Sequence, residues 1–254
     1  RMTDDVERRR RQDMLRSLLE GRVPAGVAGP PLGIDPLAPC TVVAFALGTR
    51  DAGEALIKSE RAVDLVSLYG EAFRRQASCV AMGSTVYLLV PDESDVRRLS
   101  ALASDVIERT EGALRVPMRA GIGSTVPRLD DVAVSRREAD QVLRSSGEPV
   151  THVEEVRSRI VLLELADLAR GQAQLQAGPL AALQAHDEAK GTCYVETLRA
   201  WLEAFGDVPS AAASISVHPN TFRYRLRRLV ELSGIDLDDA DERLVAALQL
   251  RLAP

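Results

Sequence analysis

Residues 216 to 234 read SVHPNTFRYRLRRLVELSG and hold, in one short stretch, the side-chain types that read nucleic acid. Arginine presents a fork of N–H donors matching guanine or a phosphate, and asparagine both donates to and accepts from adenine. Counting ~100° per residue from Phe222, Leu226, Leu229 and Val230 fall within about 80° of it and form an apolar stripe. Asn220, Arg223, Tyr224 and Arg227 gather on a different, polar face. Arg225 flanks the stripe, where its stem packs while its charge stays in water. Arg227, Arg228 and backbone amides are suited to phosphates. Pro219 fits the first helical position, and Gly234 fits the left-handed residue that ends a helix. Upstream, DVPSAAASISV predicts a short helix beginning near Asp207 or Ser210, with Ala211, Ala212 and Ala213 small enough for close helix approach. Together these make a helix-turn-helix at 209–234, whose helix 219–232 is expected to enter a major groove of double-stranded DNA.

The rest of the chain is no polycation. Its 254 residues carry 32 Lys+Arg against 37 Asp+Glu, a formal charge of -5, so any DNA binding is local. Aromatic residues make up only 4%, too few for stacking platforms. The run Arg8–Arg11 reads as a solvated helix face beside Asp and Glu, with a DNA-facing patch as the alternative. Asp236, Asp238, Asp239, Asp241 and Glu242 cannot lie against DNA; they are expected to face away and supply the first turn of a last helix.

Catalytic constellations are thin. There is no Walker A sequence, no GxSxG and no HExxH. His186-Asp187 has the look of half a metal-dependent phosphohydrolase pair, but His152 and His218 are remote in sequence, so a structural role is expected. Gly121-x-Gly123 ends a strand without the third glycine of a phosphate loop. Cys40 and Cys79 sit in apolar strands and are expected to be buried rather than nucleophilic. The expectation is no catalytic residue, no cofactor and no metal.

The elements that must position the basic helix follow from hydrophobic period. Residues 2–20 predict a helix, and EGRVPAGVAGPPLGIDPLAP (20–39) predicts a linker without regular helix. CTVVAFAL (40–47) is a strand suited to burial on both faces. A helix (53–76), a hairpin about Gly83-Ser84, a helix (93–109), a strand (114–123), a helix (129–144) and a short strand in PVTHV follow. That order predicts an α+β chain: an α/β sandwich on a mainly antiparallel sheet, then an all-α part. The expected domains are 1–36 (helix and linker), 37–155 (sandwich) and 156–254 (helical). Three widely spaced cysteines, no membrane-length apolar run and a charged N-terminal segment lead to a cytoplasmic, membrane-free setting. Arg1 in place of Met raises the expectation of an upstream sensory domain.

VHPNTFRYRLRRLVELSGIDLDDADERLVAALQLRL, with TLRAWL ahead of it, resembles the C-terminal helix-turn-helix of the PucR/CdaR family of bacterial transcriptional regulators. His218, Asn220, Thr221, Arg223, Tyr224, Arg225, Leu226 and Arg228 occupy the places of its H-x-N-T-x-R-Y-R-L-x-R motif, and Pro219 departs from a commonly basic position. The module is similar to the Fis type of DNA-binding helix pair. That resemblance implies groove contacts from His218, Asn220, Thr221, Arg223, Tyr224 and Arg227, with Phe222 and Leu226 in the core; His218 precedes the helix, so a turn residue and a phosphate contact both stay open for it. CVAMGSTVYLLVPD and the stretch from Met118 resemble a degenerate GGDEF-type cyclase domain whose hairpin tip lacks an acid. The expectation is a regulator acting as a homodimer on an operator, under a small-molecule effector or an upstream domain. The alternative is a nucleotide-binding or nucleotide-processing protein built on the α/β half.

Overall fold

The apolar run CTVVAFAL forms strand β1, Cys40–Leu47, buried at nearly every position because helices cover both faces of its sheet. The structure, a computed structural model, describes residues 2–48, 52–169, 172 and 178–252. The other strands are β2 (Ser78–Met82), β3 (Thr85–Pro91), β4 (Met118–Ile122) and β5 (Val150–His152), in the order β2-β3-β1-β4-β5. β1 runs antiparallel to β3, from Cys40 opposite Pro91 to Ala46 opposite Thr85, and antiparallel to β4. β4 and β5 pair in parallel. Helices α1 (Met2–Leu19), α3 (Ala52–Phe73), α4 (Val96–Leu114) and α5 (Val132–Ser145) pack on this sheet, and α2 (Ala25–Leu32) packs on α1.

Alternation along β1 divides the core. Val43 and Phe45 join Val63 and Val66 of α3 and Leu99, Ala103 and Val106 of α4 on one face. Val42 and Ala44 join Leu15 and Leu18 of α1, Leu32 of α2 and Val132 and Ala139 of α5 on the other. At β3's end, Glu93 is buried between Arg74 (2.9 Å) and Arg98 (3.0 Å), tying the end of the α3 segment to the start of α4. The α-β order of the sandwich is the one expected. The strand expected over 114–123 is shorter, because α4 continues through Leu114 and closes on Arg115 in the left-handed region, φ 51°.

The Gly/Pro stretch corrects a sequence expectation. It contains the helix α2 rather than an irregular linker. Pro30 and Pro31 remove two N–H donors, but the carbonyls they leave belong to Gly26 and Val27, which are exposed to water. Burial of Ala25, Ala28, Gly29 and Leu32, with the helix packed on α1 and on the turn at Leu129–Asp131, outweighs the poor local propensity. The Ala25 N–H donates to the Asp130 carboxylate at 2.8 Å, and Gly33, at φ 69°, closes the C-terminus. The α1 arginines hold that helix in place: Arg8 pairs with Asp64, Arg11 donates to the Leu32 carbonyl at 3.3 Å and Arg16 to that of Ala81 at 3.1 Å.

The chain divides into two compact units, residues 1–160 and 161–254. Helix α6, Val153–Ala169, includes that division. The second unit continues with α7 (Pro179–Lys190), α8 (Tyr194–Glu203), α9 (Val208–Ser214), α10 (Pro219–Ser233) and α11 (Ala240–Leu252).

Gly121-x-Gly123 has a packing role. A Cβ on Gly121 would stand 2.5 Å from the Ala139 carbonyl oxygen, and one on Gly123 only 2.0 Å from that of Ser135. The glycines let α5 lie directly on β4, and the buried Ser135 hydroxyl accepts the Val42 N–H at 2.9 Å. Gly123→Ala is therefore expected to destabilise the sandwich by roughly 1–3 kcal/mol. Gly147→Ala, where nothing lies within 4 Å of an added Cβ, should stay within about 0.5 kcal/mol of wild type, both variants being measured by urea titration.

Candidate nucleic-acid interface

The helical unit is assembled from caps inward. Asp187, near the end of α7, spends both carboxylate oxygens on the start of α8: it accepts the Thr192 hydroxyl at 2.5 Å, the Tyr194 N–H at 2.9 Å and the Val195 N–H at 2.8 Å. His186 stacks on the Tyr194 ring at 5.3 Å. The His-Asp pair is thus a structural joint, engaged with its own neighbours. Leu180 and Leu183 of α7, Leu198 of α8, Leu229 of α10 and Ala246 and Leu250 of α11 form the main core of this unit.

A second, smaller core sets the helix pair. Phe222 of α10 is fully buried against Ala211 and Ala212 of α9 and Ala200 of α8, with Trp201 and Leu226 alongside. Alanines there leave room for the ring, so α9 and α10 approach closely. Between them the chain turns through Ile215 and Ser216, the latter left-handed at φ 56°. Ser216 N–H donates to Ala213 O at 3.1 Å and Val217 N–H to Ala212 O at 2.9 Å, a Schellman closure. Of the two expected starting residues for α9, Asp207 is the cap: its carboxylate accepts the Ser210 N–H at 2.9 Å.

α10 begins at His218, whose Nδ1 accepts the Asn220 N–H at 3.2 Å, with Pro219 in the first turn. It ends where Gly234, φ 72°, donates its N–H to Val230 O. Phe222 and Leu229 point inward, and Asn220, Thr221, Arg223, Tyr224, Arg227 and Arg228 lie on the outer side, Tyr224 exposed by 55%. Arg225 is half-buried. Arg223 donates to the Asn220 side-chain oxygen at 3.1 Å, which aligns two groups on the outer surface. Arg228 is held by Glu231 at 2.6 Å, an ion pair that sequence reasoning missed although the two lie three residues apart. Among the described residues no ion pair engages Arg225 or Arg227. The acidic run turns into α11: Asp239 accepts the N–H groups of Asp241 (2.8 Å) and Glu242 (2.9 Å).

On the sandwich, Gly83 at φ 63° and Ser84 form the two-residue hairpin tip between Met82 and Thr85. Burial pushes the Cys40 thiol up to about 12 and raises that of Cys79 as well, so both stay protonated at neutral pH. Sequence reasoning also misses Phe205. This ring is 99% exposed after α8, and nothing in its residue type signals that placement.

Hydrogen bonds from Ser210, first from its hydroxyl and then from its backbone N–H, hold the Asp207 carboxyl below the usual carboxylate range. A depressed folded-state pKa gives stability that is present above the unfolded pKa and lost as pH falls through the folded one. Asp207→Asn keeps a capping oxygen without the charge. It is expected to melt below wild type at pH 7, with the gap closing as the pH drops below about 4. Thermal melts followed by circular dichroism across that range check this; a gap independent of pH would contradict it.

Comparison with known proteins reports on both halves. Residues 194–252 match the PucR C-terminal helix-turn-helix domain, and residues 28–145 match the GGDEF-like domain. The chain is 32% identical over 73 residues to the DNA-binding transcriptional activator AdeR of Bacillus subtilis, covering 29% of this chain and 17% of that one. It is 36% identical over 95 residues to the carbohydrate diacid regulator of Escherichia coli, covering 37% and 24%. It is 26% identical over 180 residues to the proline-responsive transcriptional activator PutR of Bacillus subtilis, covering 66% and 44%. The chain spans less than half the length of these curated relatives. The chain thus carries a segment that matches the GGDEF-like domain, followed by one that matches the PucR C-terminal helix-turn-helix domain.

Proposed function

We propose that the chain is a sequence-specific DNA-binding transcriptional regulator that lays α10 in a major groove. The observation that carries this reading is the split of α10 into a seated face, Phe222 and Leu229, and an outer face bearing Asn220, Arg223, Tyr224 and Arg227. Asn220 suits an adenine edge and Arg223 a guanine edge; Arg227, suited by type to a phosphate, shares their outer face and is assigned a guanine edge as well. Thr221 and Tyr224 add hydroxyls at the same surface. An Nδ1 that accepts the Asn220 N–H leaves the His218 proton on Nε2, free to donate to a phosphate at the mouth of the groove. Arg225 and Arg228 serve the backbone, and Arg228 must first leave Glu231.

A single helix reads few base pairs, so the chain acts as a homodimer on a repeated or palindromic operator. Residues 37–155 form the regulatory domain and 156–254 the DNA-binding domain, under a small-molecule effector or a further domain. No described helix is long and apolar enough to cross a membrane. The reading places the protein in the cytoplasm with its DNA. The curated relatives are named as regulators, which supports a non-enzymatic role.

The GGDEF-like match favours a second reading, nucleotide binding by the sandwich. Its hairpin tip, Gly83-Ser84, offers no carboxylate for metal-assisted phosphoryl chemistry, so binding without turnover is the form proposed. Turnover of GTP or ATP with a divalent metal would overturn the non-enzymatic assignment.

Arg223→Ala and Arg227→Ala are each expected to cost about 1–3 kcal/mol of specific binding and to relax preference at one base position, as read by fluorescence anisotropy on variant duplexes. Arg228→Ala should weaken all sequences alike, and by less, because its guanidinium exchanges one ionic partner for another. Log affinity should fall linearly with log salt at a slope near about -0.9 per phosphate contact, and Arg228→Ala should flatten that slope by up to about one contact. Equal, salt-insensitive binding by wild type and all three variants would overturn the assignment of α10.

A further inference from the structure

Phe205 carries two penalties at once. Its backbone is left-handed, φ 50°, a region that L side chains rarely adopt, and its ring is 99% exposed. The position closes α8, with the Phe205 N–H donated to Leu202 O at 3.1 Å. Glycine or asparagine would make that closure without strain and without putting a phenyl ring in water. Beside the ring, between α8 and α11, lies a cavity of about 540 Å³ lined by Leu202, Ala247 and Leu250. Phe205 itself, Arg199, Glu203 and Arg251 complete its lining.

We propose that this patch is the contact between two copies of the chain, with each Phe205 seated at the Leu202–Leu250 cavity of its partner. A two-fold contact sets the same surface against itself, so it needs a knob and a hole on one patch. Phe205 and the neighbouring cavity supply both. The charges at the patch are also self-complementary. Glu203 meets Arg251 only at 3.8 Å, both about half exposed, and among the described residues Arg199 has no ion pair. Across the two-fold axis, Arg199 of one copy faces Glu203 of the other. A partner of a single charge sign would leave part of this rim unpaired; a second copy matches both signs. The inference rests on the dimeric reading given above and names its surface.

The test is the mass of the full chain, by sedimentation velocity over a concentration series, free and on a duplex with two half-sites. Wild type is compared with Phe205→Asn, Arg199→Glu and the double exchange Arg199→Glu/Glu203→Arg. Asparagine tolerates the left-handed backbone, so Phe205→Asn keeps the fold, checked by its thermal melt. Wild type is expected to dimerise, with Phe205→Asn raising the dimer dissociation constant roughly ten- to hundredfold. Arg199→Glu should also weaken the dimer, and the double exchange should restore it. If Phe205→Asn dimerises as tightly as wild type, this surface is wrong while the dimeric reading stands. The surface is equally wrong if that variant keeps its mass and loses DNA affinity, since the ring then touches DNA. If wild type is monomeric both free and on the duplex, the dimeric reading itself fails, and this inference with it.

Discussion

The seating of Phe222 against Ala211 and Ala212 is the contact on which the proposed DNA-reading surface depends. Once that ring is buried, the rotation of α10 about its own axis is set, and every other residue on the helix is inside or outside as a consequence. Leu229, seven residues on, is buried by the same rotation, while Asn220, Arg223 and Arg227 must face out. A larger residue at either alanine would push the helices apart and turn the arginines away from a common surface. The caps serve the same end. Asp187, Asp207, His218 and Gly234 fix where helices start and stop, so that the small core meets in register.

An acidic chain can hold a basic surface because its charges are segregated over short distances. Beyond α10 the carboxylates of Asp239 and Glu242 turn back onto backbone N–H groups at the start of α11 and at Asp236. Glu231 masks Arg228 and leaves Arg223, Arg225 and Arg227 without acidic partners among the described residues. The arginines near the N-terminus have other uses: Arg8, Arg11 and Arg16 reach across to Asp64 and to backbone carbonyls. Equal residue types in the two runs therefore do unequal work, according to what folds beside them.

Much of this is legible in the residues alone because its signals are local. The apolar stripe of α10 and the all-apolar β1 follow from side-chain period, and the α/β order of the sandwich follows from periods and breaks. What is not legible depends on residues far apart in the chain. Helix α2 defies its own composition, since the burial of Ala28 and Leu32 in the core shared with α1 outweighs two prolines. Gly121 and Gly123 look like a fragment of a phosphate loop until the backbone of α5 is found against them. For His218, residue type and position leave turn residue and phosphate ligand evenly balanced. Its Nδ1 contact gives it the capping role, and its other nitrogen stays open for the proposed phosphate.

The most direct test of the central claim is selection of bound sites from random duplex DNA, run in parallel with wild type and with Asn220→Ala. Wild type is expected to enrich a motif with two-fold or direct-repeat symmetry. Asn220→Ala is expected to lose preference at one adenine per half-site and to keep the rest of the motif. No enrichment with wild type, or an identical motif with the variant, would contradict the claim that the outer face of α10 reads the DNA.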